Sequence, residues 1–227
     1  MSNYDLTKII NLNNLVTNII YYEKITSTND IAKEMLKKVN SQMNNFLVLS
    51  NCQTNGRGKG DAYYFSPAEV GIYMSLVLIK PTYDLRLISI VTSLAISNTL
   101  STFVDASVKI KWPNDIIINN KKISGILTEL SAEIERINYV VVGIGMNVKN
   151  TKFDGELEDK ATSIYKENYD LSRLEIVTEI IYEFEKLYKD YIENNRSEET
   201  INVCKEYSAI IGKEIYIIKG DERELVK

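Results

Sequence analysis

Residues 85–103, LRLISIVTSLAISNTLSTF, set the tightest constraint on how this chain can fold. Apolar side chains recur on nearly every face of a helix drawn through them, so that helix is stable only if it is covered on all sides. It needs a sheet beneath it and other helices beside it. The strands are legible. NNFLVLSN (44–51), VGIYMSLVLIK (70–80) and INYVVVGIGMNV (137–148) read as short buried strands. SVKIKWPNDIIINNKKISGILTEL (107–130) reads as strand, break at Pro113, strand, turn at Asn119-Asn120, strand, because paired asparagines tolerate the positive φ of a tight hairpin turn. TNDIAKEMLKKV (28–39), capped by Ser27 or Thr28, and LSRLEIVTEIIYEFEKLYKDYI (171–192), with Ser172 and Glu175 in capping-box spacing, supply amphipathic helices. Strands in series joined by hairpin turns, with separate helices, predict an α+β fold around a mixed, largely antiparallel sheet.

Chemistry is limited by what is missing. The chain contains no histidine, which removes Ser-His-Asp, Cys-His and His-zinc mechanisms and leaves lysine, arginine, carboxylates, hydroxyls and backbone amides. Cys52 and Cys204 lie far apart without metal-ligand spacing, the pattern of a reducing compartment. The formal net charge of −4 argues against duplex nucleic acid as the main partner. The N-terminus is too polar for a signal peptide, and no apolar run is long enough to span a bilayer, so a cytoplasmic location with no membrane partner is expected.

Against this background one loop stands out. Residues 51–71, NCQTNGRGKGDAYYFSPAEVG, hold four of the 10 glycines and one of the 3 prolines, interleaved with Arg57 and Lys59. The spacing matches neither a Walker loop nor a dinucleotide-binding turn. Glycine amides beside two cations make either a basic surface loop or a cradle for a carboxylate or phosphate. The glycines also lower the cost of alternative conformations, so Gln53–Ser66 is expected to be mobile without ligand.

Two further segments carry candidate site residues. Strand alternation puts Gly143, Gly145 and Asn147 on one face and Ile144, Met146 and Val148 on the other, leaving a strip of bare backbone that suits a bulge, tight packing or a ligand lying close. In KWPNDIIINNKKISG, a bend at Pro113 can turn Asn114 and Asp115 inward. Lys122 follows the asparagine turn and precedes Gly125. Simple alternation separates these two onto opposite faces, so a site shared by them requires an irregularity in the strand.

Together these segments resemble the biotin protein ligases. The resemblance rests on Ser27-Thr28-Asn29, on Gln53 followed by GRGKGDAYYFSP and Gly71, on KWPND (111–115), KKISGILTE (121–129), VVGIGMNV (141–148) and ATSI (161–164), which run in the family's order. It implies a fold like the class II aminoacyl-tRNA synthetase and biotin ligase catalytic domain. It also implies a two-step reaction with ATP, Mg2+ and biotin: biotin is activated as biotinyl-5′-AMP and passed to a lysine of a biotin carboxyl carrier domain belonging to a biotin-dependent carboxylase. Lys122, Arg57 and Lys59 take the catalytic positions. Ser27, Thr28, Asn29, Gln53, Gly56, Arg57, Lys122, Gly125, Leu127, Gly143 and Gly145 fall where the family binds biotin. Arg57, Gly58, Lys59, Tyr64, Asn114, Lys122, Met146 and Asn147 fall where it binds the nucleotide, and Asp115 lies near the magnesium.

The chain departs from the family in places. Lys59 stands where arginine is commoner, Tyr64 where tryptophan usually faces the adenine, and Gly60-Asp61 differs from the commonest bacterial loop. Only about twenty residues precede the first motif, so the DNA-binding winged helix of some members is not expected. The expected organisation is a catalytic domain over 1–210 and, over 211–227, the incomplete start of a C-terminal SH3-like β domain. Some members pair into homodimers and others are monomers, and both states stay open, as do a lipoate–protein ligase of the same fold and a non-catalytic biotin or nucleotide sensor.

Overall fold

The computed structural model describes residues 9, 12–38, 44–60, 62–81, 85, 87–133, 136–219 and 222–226. Its frame is a seven-stranded sheet built from β1 (Asn18–Tyr22), β2 (Phe46–Ser50), β3 (Gly71–Ile79), β4 (Val108–Lys111), β5 (Asp115–Ile118), β6 (Lys121–Glu133) and β7 (Arg136–Asn147). The spatial order is β1-β2-β3-β7-β6-β5-β4. β1 runs parallel to β2, and every other neighbouring pair is antiparallel. The β5–β6 turn is made by Asn119 and Asn120 with φ of 51° and 63°, the conformation their pairing predicts.

Helix α1 (Thr28–Lys37) packs on one face of the sheet. α2 (Ile88–Phe103) and α4 (Arg173–Leu187) pack on the other, and α3 (Leu157–Lys160) is a single turn. α4 continues as a wider π-helical turn over Tyr188–Glu193, and α5 (Ser197–Glu206) follows. The main core lies between the sheet and α2/α4, where Leu47, Leu76, Val142, Ile144 and Met146 meet Leu94, Ile96, Ile180 and Phe184. α2 is buried on most of its surface, as its all-round apolar pattern requires. On the opposite face Phe46, Val48, Val77 and Val141 meet Ala32, with Ile31, Met35 and Leu36 alongside. α1 covers only part of this second face. The uncovered part, over the C-terminal half of β7 and the start of β6, becomes a trough.

One local expectation is corrected. Ser27 and Ser172 occupy the N-cap positions of α1 and α4, but neither side chain makes a capping hydrogen bond. Instead Gln53 Oε1 accepts from the Thr28 amide (2.8 Å) and hydroxyl (3.2 Å), so α1 is fastened from outside. The β-like C-terminal stretch is a hairpin of β8 (Ile215–Lys219) and β9 (Glu222–Val226), forming a separate two-stranded sheet. Among the described residues no helix is long and apolar enough to cross a membrane.

Candidate active site

The trough depends on a defect in β6. Ile116 pairs with Ser124 and the next residue, Ile117, pairs with Lys122, so Ile123 is an extra residue in the strand. The bulge lets Ile123 enter the core while Lys122 and Gly125 share the trough face. This is the irregularity that a site common to Lys122 and Gly125 requires. Asp115 pairs with Gly125 across the strands, and its Oδ1 lies 2.6 Å from Lys122 Nζ. Ala161-Thr162 runs beside Lys122, with the Thr162 amide donating to the Lys122 carbonyl (2.9 Å). The Asn147 side-chain amide donates to the Thr162 carbonyl (3.0 Å).

The bare strip of β7 is occupied. A methyl group at Gly143 would overlap the Asn29 carboxamide, one at Gly145 would come within 2.5 Å of the Tyr64 ring, and one at Gly125 would sit 3.0 Å from Lys122 Cε and Nζ. Each glycine therefore seats a functional side chain supplied by another position. Asn29 is fixed there by Ser75, whose hydroxyl donates to Oδ1 at 2.6 Å. Tyr64 packs its ring against the strip with its hydroxyl buried and without a hydrogen-bond partner among the described residues. Burial, with Tyr73 and Asp115 nearby, pushes its phenol far above the ordinary tyrosine range, so it stays neutral.

The glycine-rich loop is a short hairpin. Gly58 N donates to Ala62 O (2.7 Å), Tyr64 N to Gly56 O (2.8 Å) and Gln53 N to Ser66 O (3.1 Å), while Gln53 Nε2 donates to Ser66 Oγ (2.9 Å). Asp61 lies outside the described residues. The loop carries Arg57 and Lys59 to the trough, where they line a hollow together with Ser27, Thr28, Asn29, Gln53, Gly58, Tyr64, Asn114, Lys122, Gly125, Leu127, Gly143 and Gly145. The three cations thus converge on one site. Gly56 stays behind the loop, against the Tyr64 carbonyl and the Ser66 hydroxyl.

A second hollow adjoins the first and is lined by Tyr63, Tyr64, Phe65, Lys122, Asn147, Phe153, Leu157 and Ala161. Lys122 and Tyr64 border both hollows. Met146 does not take part through its side chain. It is fully buried in the core on the far face of β7, as alternation along the strand demands, and only its backbone belongs to the trough side of the sheet. Phe153 and Leu157 were not singled out in the sequence. Phe153 is an isolated aromatic residue in the polar stretch 149–160, which is the signal that marks it.

Charge around the loop is balanced by residues that sequence reasoning also missed. Arg57 Nη1 lies 2.8 Å from Asp30 Oδ1 and 3.2 Å from Glu129 Oε1. Lys33 Nζ lies 3.1 Å and 2.9 Å from the same two oxygens. Burial alone would raise both acids, but hydrogen bonds from Arg57 and Lys33 to Asp30, and from Lys33 and Asn29 to Glu129, hold each below the ordinary carboxylate range.

Known proteins resemble this arrangement along most of the chain. The sequence model of the Biotin/lipoate A/B protein ligase family matches residues 21–147. The bifunctional ligase/repressor BirA of Bacillus spizizenii is 36% identical over 180 residues, covering 77% of this chain and 54% of the relative. The biotin–[acetyl-CoA-carboxylase] ligase of Paracoccus denitrificans is 30% identical over 143 residues, covering 61% of this chain and 59% of the relative. The chain therefore spans little more than half the length of these relatives. The biotin protein ligase of Aquifex aeolicus, solved in complex with biotin and ATP, superposes with a TM-score of 0.77 at 27% identity, covering 92% of this chain and 86% of that one. The matched segment contains the loop, the bulged strand and the glycine strip, and the chain belongs to the biotin/lipoate A/B protein ligase family.

Proposed function

We propose that the chain joins biotin to a carrier protein at the expense of ATP. A biotin carboxylate oxygen attacks the α-phosphorus of ATP, the bond to pyrophosphate breaks, and biotinyl-5′-AMP forms. The neutral ε-amine of a carrier lysine then attacks the activated carbonyl carbon, AMP leaves with the electrons of the C–O bond, and the amine's proton passes to solvent. No histidine is required. What the site must do is bring two anions together, and fixed cations do this by offsetting repulsion and stabilising charge on the transferring group.

One observation carries the reading: Lys122 stands at the border of two adjoining hollows. The first, with Ser27, Thr28 and Asn29 at its polar end and Gly125, Gly143 and Gly145 along its floor, suits a small ring bearing a urea group. The second, walled by Tyr63, Tyr64, Phe65 and Phe153 beside the Asn147 amide, suits a purine. A carboxylate reaching out of the first and an α-phosphate reaching out of the second would meet at the Lys122 ammonium, with Lys59 at the rim. Gln53 lines the first hollow, and its Oε1 and Nε2 also orient Thr28 and the loop.

Magnesium fits as an ion carried in by ATP. Such an ion needs only one or two protein carboxylates besides phosphate oxygens, and Asp115 supplies one next to Lys122. Bound there, it would shield phosphate charge. The two free thiols, Cys52 and Cys204, support placing the protein in the cytoplasm.

The test is mass spectrometry of a biotin carboxyl carrier domain incubated with the protein, ATP and magnesium, with biotin or lipoate in parallel. Addition of one biotinyl group, with biotin-dependent exchange of labelled pyrophosphate into ATP, is expected. Lipoylation instead would reassign the acid, and biotin binding without exchange would make the protein a sensor.

A further inference from the structure

The ladder between β6 and β7 begins at Ser124 and Met146, so Lys122 stands beyond it. Its neighbour there is Ala161, in a parallel bridge, and the Thr162 amide donates to the Lys122 carbonyl. The same segment reaches β7. Ile164 N donates to Asn147 O (3.3 Å) and Tyr165 N to Val148 O (2.8 Å). Residues 161–165 therefore lie across the ends of the two strands, tied to the backbone of Lys122 on one side and of Asn147 on the other.

Thr162 is the hub of this crossing. Its amide serves Lys122, its carbonyl accepts from the Asn147 side chain, and its hydroxyl donates to Glu167 Oε1 at 2.6 Å. The other Glu167 oxygen, Oε2, accepts from Asn119 Nδ2 at 2.7 Å, and Asn119 sits in the β5–β6 turn three residues before Lys122. We propose that Glu167 is a positioning residue: by bracketing Thr162 to the β5–β6 turn, it sets the spacing of Lys122 and Asn147 around the second hollow. That the hollow takes a nucleotide rests on the proposed function.

Burial and placement set this bracket apart from a chance surface contact. Thr162 is 1% exposed, and a hydrogen bond from a buried hydroxyl to a carboxylate is stronger than one between neutral groups. Glu167 lines neither hollow, whereas both residues that Thr162 holds line the second. The carboxylate thus acts on a ligand there only through Thr162. The segment is also seated without it. Glu167 N donates to Ser163 O at 3.1 Å, and Ser163 Oγ donates to Asn150 O at 2.6 Å. Losing the carboxylate loosens the bracket and leaves the segment in place.

The experiment follows pyrophosphate exchange by the full chain while ATP is varied, at saturating biotin, or lipoate if that is the acid the wild type activates. Glu167→Ala and Thr162→Val, which keeps the side-chain shape but loses the donor, should each raise the KM for ATP by about threefold or more. Thr162→Ser, which keeps the hydroxyl, should restore the wild-type KM. The double variant Thr162→Val/Glu167→Ala should go no further than the stronger single, since both remove one bond. Asn119→Gly, which keeps the positive φ of the turn and cuts the other arm, should raise the KM in the same direction. Biotin affinity, read by calorimetry without ATP, and the melting temperature should stay at their wild-type values. An unchanged KM for ATP in both Thr162→Val and Glu167→Ala would overturn the proposal. So would a rise matched by an equal loss of biotin affinity or of thermal stability, which would make Glu167 a general support of the fold. If the wild type activates neither acid, the adenylation reading fails, while weaker ATP binding in the same variants, read by calorimetry, still upholds the bracket. A wild type that binds no ATP would overturn both.

Discussion

At the scale of single residues, Lys122 concentrates the most function in the least sequence. It touches both hollows, pairs with Asp115 at 2.6 Å and sits 6.0 Å from the centre of the Tyr64 ring. Replacing it with alanine removes a cation from the proposed meeting point of two anions while taking nothing from either hydrophobic core. Lys122→Ala should therefore slow adenylate formation by about 10²–10³-fold at unchanged thermal stability, read by pyrophosphate exchange and calorimetry. Unchanged exchange would remove Lys122 from the mechanism. The motif made the identity of this lysine legible, but not its company. Alternation alone puts it on the wrong face from Gly125, and only the extra residue Ile123 reconciles them. Asp30, Lys33 and Glu129 went unnoticed for a related reason. Each looks like an ordinary solvated charge until α1 and β6 are brought together, and no periodicity within one element reports a contact between elements.

At the scale of elements, legibility followed the strength of the hydrophobic pattern. α2 was plain because its sequence permits no exposed face, and β3 and β7 because their apolar runs are long. β1 (NIIYY) was missed because five residues between polar neighbours carry too little pattern. α5 (SEETINVCKE) was missed because it buries little, with Thr200 its fully buried member. The caps misled for a physical reason. Ser27 has the right position and backbone angles for an N-cap, yet the partner that fastens α1 is Gln53, 25 residues from Thr28. The weight carried by α2 is testable at Leu94, which is 1% exposed between the sheet and α4. Leu94→Ala should lower unfolding free energy by about 2–5 kcal/mol in urea titration, through lost burial and the cavity left behind. A loss below about 1 kcal/mol would show that the site collapses around the smaller side chain.

At the scale of the whole molecule, the sheet divides the labour between its faces. One face is sealed by α2 and α4 and supplies the main core. The other is half covered by α1 and, where the glycines lie, only by the Asn29, Tyr64 and Lys122 side chains, which leaves the hollow on that side. Among the described residues, none of the C-terminal hairpin belongs to either core cluster. Hairpins of two strands are marginal by themselves. We propose that residues 1–210 are the catalytic unit and that residues 211–227 belong to an SH3-like β domain. Removing residues 215–227 should shift the melting temperature by less than about 3 °C, and a larger fall would show that the hairpin supports the catalytic unit. The ordered run of motifs made the overall architecture readable from the sequence, since it implied a mixed, largely antiparallel sheet and the placement of the loop, though not the strand order. The same motifs named nearly all the residues that wall the first hollow, whereas Phe153 and Leu157 of the second were not readable, because they come from a stretch without a motif.

The seating of Asn29, Tyr64 and Lys122 over glycines has one more consequence. Where strands offer only backbone, the contour that a guest molecule meets is drawn by visitors from a helix, a loop and a bulge. Selectivity can then drift by exchanging a visitor, with the underlying β-framework and its oily interior left as they are.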